Sequence, residues 1–273
     1  MSSRGMRLLS RFLILVGAVA VVGCTTAGGG LGGSGREGAR QPMSQEPPAS
    51  EARNSAKVHT ELGALYLQES RFAIAFEEAR IAIASDSSYA PAYNLLALIH
   101  MFLGESRLAE ENFRRAISAA PGDPEIENNY GWFLCQNSRE QESIEYFMRA
   151  ARNPLYPHPT KPYTNAGLCS VRLKNDVAAE RYLTQAMQLD STNTQAPFAM
   201  AEIAYRNKRY AEARQWVSDL EKAIELNAEV TWLALRIERK LGNREGEARY
   251  SAQLRRKFAN SPEQRKLLQG DFE

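Results

Sequence analysis

The stretch APAYNLLALIHMFLGESRLAEENFRRAISAAPGD, residues 90–123, is the clearest copy of a unit that recurs down the chain. Three of its small residues set the register. Ala97 shares a column with Gly63, Gly131, Gly167 and Ala201. Ala109 shares a second with Ala75, Ser143, Ala179 and Ala213, and Ala116 a third with Ala82, Ala150 and Ala186. Members of the first column stand 34, 34, 36 and 34 residues apart. A unit of that size cannot bury its apolar face alone, so neighbours must stack into one continuous core. Small residues at fixed offsets belong where two helices approach closely. Gly104 suits the turn between them, and Pro121 cannot continue the second helix and so ends it.

This period and these offsets resemble the tetratricopeptide repeat. The resemblance implies an all-α, right-handed superhelix of about six helix–turn–helix units, at about 56–89, 90–123, 124–157, 160–193, 194–227 and 228–261, with a tail over 262–273. Leu62-Gly63, Tyr66, Phe72, Ala75 and Ala82 fill the first unit; Tyr130-Gly131, Phe147 and Ala150 the third; Tyr163, Gly167, Ala179, Leu183 and Ala186 the fourth; Tyr210, Ala213 and Val217 the fifth. The sixth is degraded: Leu241-Gly242 marks its turn and Ala248 its second helix, as in a terminal cap. Asn153-Pro-Leu-Tyr-Pro-His-Pro-Thr-Lys-Pro162 joins units three and four and accounts for the two extra residues. Its four prolines exclude helix and predict a stiff extended connection displaying Tyr156 and His158. It reads either as a lengthened loop or as a partner contact that alters superhelical pitch.

The first 23 residues carry Arg4, Arg7 and Arg11, then an apolar run from Phe12 to Val22 that is short for a membrane span. The run ends Val21-Val22-Gly23-Cys24. A small residue before cysteine after such a run resembles the lipobox of bacterial lipoproteins. That resemblance implies cleavage before Cys24, acylation of Cys24 and, with Thr25 following, sorting to the outer membrane. Several acyl chains on one residue make a stable anchor. Residues 24–55 read as the acylated cysteine and a disordered tether, Gly-rich and then Pro-rich. The bland alternative is an ordinary secretory signal with a chance cysteine.

Removing the first 23 residues leaves 31 basic against 32 acidic residues, a balance that argues against nucleic acid as a partner. His59, His100 and His158 have no metal-ligand spacing, and no Gly-rich phosphate loop or nucleophile elbow is present. The reading is therefore a binding protein, not an enzyme, with no cofactor, no metal and no small-molecule substrate.

A more specific resemblance lies in Glu127-Asn-Asn-Tyr-Gly-Trp-Phe-Leu-Cys135, Asn153-Pro-Leu-Tyr-Pro157 and Asn165-Ala-Gly-Leu-Cys169. These, with Ala178-Glu180-Tyr182-Leu183, Ala201-Glu202 and Leu241-Gly-Asn243, are similar to the type IV pilus biogenesis and stability lipoproteins, the secretin pilotins. The resemblance covers about 56–262. It implies an outer-membrane lipoprotein that binds the secretin subunit and promotes its localisation and oligomerisation. A second class stays open: a repeat lipoprotein that docks cell-wall hydrolases or the outer-membrane insertion machinery.

Cys135 and Cys169 fall on adjacent first helices, which an oxidising compartment would link, the alternative being two buried thiols. In this fold partners usually lie on the concave face, at positions 2, 5, 9, 12 and 13 of each first helix. Those positions include Asn94, Leu98, Met101, Phe102, Asn128, Trp132, Thr164, Leu168 and Phe198. Apolar side chains ringed by amides suit an amphipathic helix or extended peptide. Alternatively Met101 and Phe102 turn into the core and Trp132 packs under the next repeat. Asn129 and Asn165 read either as a carboxylate clamp, with Lys57, Lys161 or Arg172, or as bonds between helices.

Overall fold

The structure is a computed structural model that describes residues 39–272. The segment 1–23, Cys24 and the start of the expected tether lie outside the described residues. Six helix pairs follow one another: α1 (Glu51–Gln68) with α2 (Phe72–Ser85), α3 (Ala90–Phe102) with α4 (Ser106–Ala119), and α5 (Pro124–Gln136) with α6 (Glu140–Arg152). Then come α7 (Thr160–Arg172) with α8 (Asp176–Leu189), α9 (Gln195–Arg206) with α10 (Tyr210–Ala223), and α11 (Ala228–Lys240) with α12 (Arg244–Lys257). A last helix, α13 (Pro262–Gln269), closes the series. The described residues contain no strand. Each first helix also packs on the first helix of the next repeat, which makes a solenoid. No helix among the described residues is long and apolar enough to cross a membrane.

The small-residue columns are where each pair closes. Ala75, Ala109, Ser143, Ala179 and Ala213 have no exposed surface, nor have Ala82, Ala116, Ala150 and Ala186. A methyl group added at Gly167 would lie 2.5 Å from Leu183 Cδ2, and one at Gly131 would lie 2.9 Å from the Phe147 ring. The turns repeat as strictly as the columns. Ser70, Gly104, Ser138, Lys174, Lys208 and Gly242 all adopt left-handed backbone, spaced like the columns. The following amide bonds back five residues, as Arg71 N to Tyr66 O (2.8 Å) and Arg209 N to Ala204 O (2.8 Å) do. Each first helix thus ends in the same left-handed cap, for which glycine is the easy choice, as at Gly104 and Gly242.

Three expectations need correction. The tether was expected to run disordered to 55, but α1 begins at Glu51 and residues 40–46 form a strap on the solenoid. Met43 N donates to Asp123 Oδ2 (2.8 Å), Asn153 Nδ2 donates to Arg40 O (2.8 Å), and Lys57 Nζ donates to Glu46 O (3.2 Å). Met43 also packs against two core clusters, one holding Tyr89 and the other Ala90 and Ile126. Composition argues for disorder only where a segment has nothing to bury against, and here a preformed corner receives it. Second, the tail over 262–273 contains α13, whose Leu267 is buried. Third, the proline-rich connection does not display Tyr156. That ring is 4 % exposed and its hydroxyl donates to Glu125 Oε2 (3.0 Å), whereas His158 is exposed. Burial raises the Tyr156 pKa, and the Glu125 charge adds to it. The helix also starts earlier than the prolines suggest, because Pro162 sits in the first turn of α7, where its missing N–H is no loss.

Asp123 holds the strap. Its Oδ1 accepts from Glu125 N (3.0 Å) and Ile126 N (3.2 Å), capping α5, while Oδ2 takes Met43 N. Burial raises its carboxyl pKa, and the three amides pull it back. Asp123→Ala should cost about 1–2 kcal/mol, the usual value of a lost N-cap. It should also free the strap, so trypsin should cut after Arg40 faster than in the parent protein. Equal cutting rates would show that Met43 and Asn153 hold the strap without Asp123.

Candidate protein-binding groove

First helices α1, α3 and α5 enclose an open cavity of about 520 Å³. Its floor is Ala64, Leu95, Leu98 and Ile126. Toward the C-terminus of α3 stand Leu67, Phe72 and Phe102, with the Phe72 and Phe102 rings 6.4 Å apart. Toward the N-termini of α3 and α5 stand Ser44 of the strap, Asp123, Glu125 and Lys161. Phe102 is 62 % exposed, and nearby Leu65 and Leu103 are also exposed. The groove therefore offers an apolar floor, an exposed aromatic lip and a charged end where Lys161 Nζ meets Glu125 Oε1 (3.1 Å).

Of the nine residues read as partner-facing, Leu98, Phe102 and Asn94 line this cavity. The others are placed differently. Asn128 and Thr164, like Asn94 itself, are buried and engaged in a ladder between repeats. Asn129 Nδ2 donates to Asn94 Oδ1 (3.3 Å), Asn165 Nδ2 to Asn128 Oδ1 (3.0 Å), and Asn193 Nδ2 to Thr164 Oγ1 (2.8 Å). Asn128 Nδ2 closes a further step onto Asn129 Oδ1 (3.4 Å). Such bonds contribute roughly 1 kcal/mol each, and breaking one strands a buried amide. Asn129 and Asn165 thus bond between helices. Of the clamp cations, Lys57 and Lys161 are engaged as described, and Arg172 Nη1 donates to Gln136 Oε1 (2.8 Å).

Met101 packs against the cluster of Ala97, Phe113 and Tyr130, and Trp132 against the cluster that holds Cys135, Phe147 and Cys169. Leu168 packs against Ala199 and Met200, and Phe198 against Ala201 and Trp232. All four are half-buried, and none of them lines the cavity between α1, α3 and α5. Position within a repeat names the face a residue lies on. It does not reveal how far the next repeat covers that face.

Models of the tetratricopeptide repeat match residues 94–157 and 177–233. The type IV pilus assembly protein PilF of Pseudomonas aeruginosa is 28% identical over 251 residues, covering 92% of this chain and 94% of that protein. The crystal structure of PilW, described as a widely conserved type IV pilus biogenesis factor, superposes with a TM-score of 0.74 at 29% identity. The match covers 81% of this chain and all (100%) of PilW. The chain is a tetratricopeptide-repeat protein related to these pilus biogenesis factors. A solved structure of Pseudomonas aeruginosa PilF matches with a TM-score of 0.70 at 27% identity, over 81% of this chain and 100% of that one. A Parabacteroides merdae repeat protein, at 14% identity and a TM-score of 0.61, shares the fold alone.

Cys135 and Cys169 are joined as a disulfide between α5 and α7, their Cα atoms 6.0 Å apart. Both are fully buried, and Ser143 Oγ lies 3.1 Å from Cys169 Sγ. The bridge covalently joins repeats three and four beside the long connection. Replacing both cysteines by serine should cost about 3–4 kcal/mol on the chain-entropy account. Non-reduced peptide mapping of the protein from its own compartment should link the two. Two alkylatable thiols there would contradict the bridge.

Proposed function

We propose that this protein is an outer-membrane lipoprotein on the periplasmic side that binds the type IV pilus secretin subunit. It thereby promotes the subunit's localisation and oligomerisation, and so pilus biogenesis. The observation that carries this reading is similarity to PilF over nearly the full length of both chains, together with the close match to PilW. The sequence motifs around Cys135 and Cys169 support it, because a generic repeat does not require them.

The groove of repeats one to three is the proposed contact. An apolar floor with an exposed phenylalanine at its lip suits the apolar face of a peptide from the secretin. Cys24 is the proposed anchor. With the strap docked from residue 40, about 15 residues separate Cys24 from the fold.

Phe102→Ala should leave helicity and melting nearly unchanged, since the side chain is largely exposed. It should weaken binding of purified secretin at least tenfold, a loss typical of an aromatic anchor. Unchanged affinity would move the contact off this groove. Cys24→Ala should release the protein from the outer membrane and reduce secretin multimers on a gel of cell envelopes. Normal multimers in a full deletion strain would remove the secretin reading altogether and leave the general docking role.

A further inference from the structure

The inner face is occupied at its other end. Counted from Ala228, positions 5, 9 and 12 of α11 are Trp232, Arg236 and Arg239. These correspond in register to Asn94, Leu98 and Met101 of α3. Phe272 stacks on Trp232, with ring centroids 5.5 Å apart and planes at 20°. The Arg239 guanidinium lies 3.9 Å from the Phe272 centroid, on a ring that Trp232 also stacks against. Arg236 Nε donates to the Phe272 carbonyl oxygen (3.0 Å).

The walls of this site are held without Phe272. Arg236 lies over the Tyr205 ring at 4.5 Å, and Arg239 pairs with Glu247 (2.6 Å). Trp232 packs with Phe198 and Tyr205 in the last core cluster. The occupant comes from outside the repeats. It leaves α13 through left-handed Gly270, Asp271 N donates to Lys266 O (3.0 Å), and the Phe272 ring and carbonyl make the contact. In sequence that ring stands between Asp271 and Glu273, and it meets Arg236 and Arg239, whose own carboxylate neighbours are Glu202 and Glu247. A terminal repeat needs only a polar outer surface for its cap. A tryptophan followed by two fixed arginines at positions 5, 9 and 12 of the last first helix exceeds that need.

We propose that Trp232, Arg236 and Arg239 form a recognition site for an aromatic side chain flanked by acidic residues in an extended segment of a partner protein, with Phe272 as its resident competitor. The aromatic face takes the guanidinium and the indole, the segment's carbonyl takes Arg236, and the acidic neighbours match the surrounding charge. The site is separate from the groove of repeats one to three and stands whether or not the secretin reading holds.

The test uses the full chain and a synthetic peptide, Leu-Gln-Gly-Asp-Phe-Glu, the sequence of residues 268–273. The readout is the Trp232 indole N–H resonance. With Phe272→Ala, the peptide should give a saturable shift. The parent protein should need about tenfold more peptide, because a tethered competitor acts at roughly millimolar effective concentration. A peptide with alanine for phenylalanine should give no shift, and Arg236→Ala in the Phe272→Ala chain should weaken binding several-fold. If Phe272→Ala folds poorly, Phe272→Leu keeps the apolar contact and removes the ring. No shift up to several millimolar peptide in a folded variant would make Phe272 a structural cap and overturn the proposal. A concentration-dependent dimer abolished by Phe272→Ala would overturn it too, making a second copy of this chain the occupant.

Discussion

The close approach of paired helices at the small-residue columns is the constraint on which everything else rests. Gly131 and Gly167 face Phe147 and Leu183, both fully buried, at distances that leave no room for a side chain. Neither Phe147 nor Leu183 can swing aside, because the core around each is closed. The crossing of first and second helix is therefore fixed by sequence at each pair. Overpacking such a contact typically costs 1–3 kcal/mol. Because the same contact recurs at the same offset, all first helices come to lie side by side. A groove lined by α1, α3 and α5 is the direct result.

The fold was legible for that reason. Columns with a fixed period carry the unit, the pairing and the number of repeats, and even the two-residue insertion before α7 reads as a loop. The site was only partly legible. Periodicity put Leu98 and Phe102 on the face that lines the cavity, yet it put Asn128 and Trp132 there too, and Asn128 is buried and Trp132 half-buried. Amides on the inner face read as peptide-binding groups until their partners are known. Asn128 and Asn165 turn out to bond to each other. The strap and Phe272 were missed altogether, since neither belongs to a repeat. Trp232 was open to discovery: it sits at a partner-facing position of a unit dismissed as degraded.

One corner coordinates the groove with its surroundings. The first turn of α5 holds the strap through Asp123 and the proline-rich connection through Glu125, which takes both Tyr156 Oη and Lys161 Nζ. Two carboxylates two residues apart thus fasten the segment entering the solenoid and the connection between repeats three and four. The strap places Ser44 at the groove's charged end. Irregular pieces that the period cannot explain meet at the part of the inner face that is open.

The two ends of the inner face differ in chemistry. The first is apolar, with Leu98, Phe72 and Phe102, and at its charged end Lys161 pairs with Glu125. The last carries Arg236, Arg239 and Lys240 around a tryptophan. Contacts at the first end rest on removal of apolar surface from water, which salt does not screen. Contacts at the last rest partly on charge, which salt screens within about 10 Å at 0.1 M. The two ends therefore select ligands on different grounds. A single partner reaching along the inner face must offer an apolar face first and an acidic, aromatic segment later. The fixed pitch of the repeats sets the distance between those features.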